Sequence, residues 1–85
     1  MDTLFNLRLT EQILVLYGYQ KHQHFDYWYY AVNGHEGAYR LEKNTYRNVW
    51  CVFLPCYHFP LVRELTTLGQ LSNLHQGFYD KPIIE

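Results

Sequence analysis

Asn33-Gly34, set between "HFDYWYYAV" and "HEGAYRLEK", constrains this chain more than any other pair of residues. Both central residues of a type I′ hairpin turn need positive φ, and Asn-Gly between strand-forming runs supplies it with the least strain. Rings crowd both sides of the turn. Nine residues are tyrosine and 19% of the chain is aromatic, and such residues fit a pleated, half-buried surface. The expected sheet has strands over about residues 25–32, 36–42 and 47–54. Asn44 bends the chain at the second turn, and Pro55, which cannot donate to a ladder, ends the third strand.

Helical periodicity flanks the sheet. Leu9, Ile13, Leu16 and Tyr17 recur on one helical face, Thr10 suits the N-cap, Glu11 the positive end of the dipole, and Gly18 the stop. This predicts a helix over about residues 9–18. "QKHQH" after it reads as a polar connector. Pro60 suits a first helical position, Leu61, Leu65, Leu68 and Leu71 form an apolar stripe, and Gly77 is a natural terminator of this second helix. Thr66-Thr67 and Gly69 weaken its intrinsic propensity, so packing must hold it. The tail "FYDKPIIE" is expected to be extended.

The fold class is therefore α+β: an α-β-β-β-α order with a three-stranded antiparallel meander packed against helices, in one small domain over residues 1–85. That order resembles the topology of double-stranded RNA-binding domains. The last helix of that family opens with lysines, whereas this one opens "PLVREL", and the family's glycine- and histidine-bearing loop has no counterpart. The resemblance implies topology alone, and no residue is carried over.

A two-residue loop at Asn33-Gly34 predicts the pairs Val32–His35, Tyr30–Gly37, Trp28–Tyr39 and Asp26–Leu41. A second turn centred on Asn44-Thr45 then pairs Tyr39 with Trp50, which places Trp28, Tyr39 and Trp50 in one row. This row, with Val32, Leu41, Val52 and Leu54, is the expected core face, covered by the second helix. The opposite face carries Phe25, Tyr27, Tyr29, Ala31, Ala38, Val49, Cys51 and Phe53, interrupted only by Glu36, Arg40 and Glu42. A water-facing side of an antiparallel sheet alternates more cleanly than this. Both faces therefore read as intended for burial, the second under the first helix, a terminus or another chain.

Composition narrows the function. A net charge of −1 lacks the basic face that duplex nucleic acid requires. "MDTLFNLRL" has no basic start followed by an apolar run, and "VWCVFLPCYHFPLV" is too short for a bilayer, so a cytoplasmic protein without a membrane partner is expected. Two cysteines, Cys51 and Cys56, are too few for a disulfide framework. His22-x-His24 before Asp26, and Cys51 with Cys56 and His58, are the candidate metal ligands. Neither set has four well-spaced donors, so no metal and no cofactor is expected. "HE" at 35–36 is followed by Tyr39 rather than a second histidine, and no nucleophile or phosphate-loop signature appears. Tyr27 and Tyr29 can stack unpaired bases, which makes a single-stranded nucleic-acid binder one alternative and a small metal-binding protein another. The principal expectation is a non-enzymatic protein-interaction module, a small regulator, inhibitor or adaptor of the kind phages and mobile elements encode. Its interface would comprise Phe25, Tyr27, Tyr29, Arg40, Val49 and Phe53, joining first a second copy and then a protein target.

Overall fold

At the Asn33-Gly34 turn both residues take positive φ, 51° and 81°, and Val32 and His35 exchange both backbone hydrogen bonds at 2.9 Å. These are features of a computed structural model that describes residues 3–84. Glu85, the end of the expected extended tail, lies outside the described residues.

The elements are α1 (Glu11–Leu16), β1 (Tyr19–Lys21), β2 (Trp28–Tyr30), β3 (Arg40–Asn44), β4 (Val49–Phe53), β5 (Val62–Leu65) and α2 (Leu68–Tyr79). The strands form one antiparallel meander in the order β1-β2-β3-β4-β5. The α+β class with helices at either end of a meander holds. The sheet, however, has five strands rather than three, because a further strand joins each edge. With that the topological likeness to double-stranded RNA-binding domains ends.

Each added strand replaces an expected element for a local reason. Tyr19–Lys21, whose Gln20 and Lys21 belong to the expected connector, pairs with Trp28–Tyr30 because the buried Tyr19 anchors the strand. The segment after Pro60 is a strand, not a helix. The Leu61 N–H donates to the Val52 carbonyl at 2.7 Å, and Leu65 pairs with Trp50. Proline is tolerated where an edge strand begins. The helix starts instead at the threonine pair. Thr67 accepts from the Gln70 N–H, and the Gln70 side chain accepts from the Thr67 N–H at 3.3 Å, a reciprocal capping box. Gly77 lies within α2, which is closed by Asp80 in the left-handed region, φ 61°.

The hairpin register slips in even steps. Trp28 pairs with Leu41 and Tyr29 with Arg40, two residues from the expected partners, because the chain bulges at Gly37 (φ 85°). The β3–β4 pairs Leu41–Val52 and Arg40–Phe53 are displaced by four, since Asn44 closes a longer turn by accepting from the Tyr46 and Arg47 N–H groups. The predicted Trp28–Tyr39–Trp50 row is therefore Trp28–Leu41–Val52. An even slip keeps every side chain on its own face. Trp28, Tyr39, Leu41, Trp50 and Val52 are accordingly all buried in the core, while Leu54 packs against it half-buried.

Both helices pack on that one face. Leu14 of α1 and Leu68 and Leu71 of α2 share a cluster with Trp28, Leu41, Trp50 and Val52. α1 is shorter than expected, and its buried residue is Leu14, whereas Leu16 of the predicted stripe is 72% exposed. Six residues make less than two turns, so Leu9 enters the core from extended chain instead. The N-terminal segment lies along the start of α2, where the Leu7 and Phe5 carbonyls accept from the Leu68 and Gly69 N–H groups. The C-terminal segment docks too: Ile83 and Ile84 pack on the core and donate to the buried Ser72 hydroxyl. The shortest dimension, 21 Å, is that of two layers. No helix of the described residues is long and apolar enough to cross a membrane.

Candidate interaction face

Alternation along the strands brings His22, Tyr27, Tyr29, Arg40, Glu42, Cys51 and Phe53 to the other side of the sheet. Among the described residues neither helix nor terminal segment covers it, since all of these pack on the core side. The expected cover by α1 or a terminus is therefore not found among the described residues.

Arg40, on the central strand β3, organises this face. Its guanidinium stands 5.4 Å from the Tyr27 ring centroid and 5.2 Å from that of Phe53, and its Nε–H donates to Glu42 at 2.9 Å. Cation–π contacts of this kind hold a guanidinium in an apolar setting. Tyr27 donates to Glu36 at 2.7 Å, and burial followed by that hydrogen bond pushes its phenol up to about 12. Phe25 stacks on Tyr27 with ring planes 9° apart and remains 64% exposed. Together with Asp26, Arg40 and Glu42 these two rings line an open concavity.

His22 anchors one side. Its Nδ1 accepts from the His24 and Phe25 N–H groups at 3.0 and 3.2 Å, so the proton sits on Nε2, which faces Glu36 at 3.3 Å. Both ring nitrogens are thus engaged in shaping the connector that presents Phe25. Tyr29 donates to Gln20 at 3.4 Å.

The other candidates scatter. Val49, expected at the interface, is only 6% exposed and offers a partner little. Cys51 donates to the Arg63 carbonyl, and burial, then Glu42, push its thiol up, the opposite of an activated nucleophile. Cys56 and His58 are exposed in the loop after β4, and His24 is exposed beside His22. Among the described residues no three or more His, Cys, Asp or Glu stand where they could hold a metal ion.

A second cluster escaped the sequence reading. His75 of α2 is 1% exposed, and its Nδ1 lies 3.1 Å from the Tyr39 hydroxyl and 3.5 Å from that of Tyr19, which also meet each other. A neutral imidazole satisfies this arrangement: Tyr39 donates to Nδ1 and Tyr19 to Tyr39. Tyr30 stands edge-on to the imidazole and Tyr79 packs beside it, each 4.6 Å from its centroid. Burial pushes both the Tyr19 and Tyr39 phenols up. The signal was present in the helical spacing Leu68, Ser72, His75, Tyr79, which continues the buried stripe.

Burial, then the charge of Lys81, lowers the proton affinity of His75 below its ordinary 6.5. In the window beneath 6.5 the unfolded chain binds more protons than the folded one, so stability is fully present above it and is lost as pH falls. The urea midpoint is expected to drop between about pH 7 and about pH 5, and His75→Gln, which keeps an acceptor, to flatten that drop. Equal acid sensitivity in the variant would assign the loss to other groups.

Comparison with protein-family models, with curated protein sequences and with solved structures gave no match for this chain.

Proposed function

We propose that this chain is a non-enzymatic protein-interaction module, a small regulator, inhibitor or adaptor, and that its working surface is the open face of the sheet. The observation that carries this reading is the contrast between the two faces. One is closed by α1, α2 and both terminal segments; the other presents rings around a central guanidinium with no described segment over them. Tyrosine, phenylalanine and arginine are the residues interfaces favour, because they offer large contact area at low conformational cost. The intramolecular contacts of Tyr27, Arg40 and His22 hold the face in shape before any partner arrives, which lowers the ordering cost of binding.

Charge argues against the stacking of single-stranded nucleic acid here. The concavity and its rim carry Asp26, Glu36 and Glu42 against Arg40 and the Lys21 ammonium, which pairs with Asp26 at 3.4 Å, whereas base-stacking surfaces run beside a cationic track.

Phe25→Ser/Tyr29→Ser tests the reading. Affinity capture from the source cell is expected to recover a protein with the wild type and lose it with the folded double variant. Identical recovery by both would sink the assignment of this face.

A further inference from the structure

We infer that the open face pairs with a second copy of this chain about a two-fold axis that crosses β3 at Leu41. The inference rests on the reading of this face as an interaction surface and names its partner.

Charge at the axis distinguishes the ways in which two copies can meet. A face shared by two identical chains is self-complementary, so residues nearest the axis meet their own neighbours from the other copy. β3 is the middle strand of the five, and its outward residues are Arg40 and Glu42, on either side of Leu41. An axis running along β3 itself would set Arg40 on Arg40 and Glu42 on Glu42, which like-charge repulsion forbids. An axis across β3 at Leu41 reverses the second strand, so that Arg40 of each copy meets Glu42 of the other. The centre of the face is then electrically complementary to itself, and the charge pattern selects one of the two orientations.

The surroundings fit this pairing. Arg40 is flanked in register by Tyr29 and Phe53, and Glu42 by Cys51. The same axis therefore lays Phe53 of one copy towards Cys51 of the other, large against small, as interdigitating sheet faces require. Among the described residues Arg40 hydrogen-bonds through Nε, which leaves the terminal N–H groups of its fork for a carboxylate from outside.

The experiment is sedimentation velocity from micromolar to high-micromolar concentration, with thermal melts beside it, on the wild type, Arg40→Glu and Glu42→Arg. The wild type is expected to dimerise. Each single variant places like charges across the axis and is expected to weaken self-association by about tenfold or more. An equimolar mixture of the two variants restores opposite charges at both contacts and is expected to dimerise again. A wild type that stays monomeric, a dimer indifferent to both variants, or a mixture that fails to rejoin would each overturn the inference. Phe25→Ser separates that failure from a failure of the function reading. A monomeric wild type whose Phe25→Ser variant melts unchanged leaves the face free for a different protein. A monomeric wild type that Phe25→Ser unfolds has no interaction face at all.

Discussion

Replacing Trp50 by alanine is expected to cost about 3–5 kcal/mol and to shift the urea midpoint far below that of the wild type. Trp50 is the largest fully buried side chain, 1% exposed, and it sits in β4 between Lys43 and Leu65. Its indole N–H donates to the Leu9 carbonyl at 3.4 Å and so ties the N-terminal segment to the sheet. Alanine there would open a cavity and remove the donor from a buried carbonyl. A domain of this size has a margin of roughly 5–10 kcal/mol, so one such loss takes much of it. Urea denaturation followed by circular dichroism measures the effect. A midpoint near that of the wild type would place Trp50 outside the core.

Gly37→Ala is expected to cost about 2–5 kcal/mol, the sum of a left-handed backbone and overpacking. Gly37 has φ 85°, and a Cβ there would come 2.6 Å from the Tyr30 carbonyl oxygen and 2.5 Å from the Tyr79 hydroxyl. Neither can retreat freely. Tyr30 is held in the sheet, and the Tyr79 hydroxyl accepts from the Ala38 N–H while its ring packs against His75. The strain would therefore reach the buried tyrosine–histidine cluster at the C-terminal end of α2. Gly34→Ala is the control, because a Cβ there meets nothing within 4 Å and only the positive φ is penalised. Its cost is expected to be about 1 kcal/mol. Equal losses from the two variants, read as denaturation midpoints, would mean that the approach at Gly37 does not matter.

The difference between the glycines shows why parts of the fold were legible in the sequence and parts were not. Asn33-Gly34 is a local signal, and a local turn settled the hairpin and the parity of its strands. At Gly37 the backbone runs close against Tyr30 and Tyr79, one of them far along the chain, an approach no local signal discloses, and there the register slips while the faces survive. The edge strands had no local signature. "YQK" is half polar, and "VREL" shares its leucine spacing with the helix that follows, so pairing with neighbours, not propensity, decided both. Thr66-Thr67, expected as a weak point inside a helix, supplies the cap that starts one. At the candidate face, alternation alone located Phe25, Tyr27, Tyr29, Arg40 and Phe53. Val49 keeps the parity of Cys51 and Phe53 but is only 6% exposed, a burial that no period-2 pattern discloses.

The two faces of one sheet are predicted to have different fates, and chemical denaturation of Phe25→Ser/Tyr29→Ser beside Trp50→Ala tests that most directly. At a concentration where both sediment as monomers, the serine variant is predicted to unfold within about 1 kcal/mol of the wild type, since surface changes each cost about 0.5 kcal/mol or less. A loss as large as that of Trp50→Ala would mean that the chain already buries this face, and the claim of an open interaction surface would be contradicted.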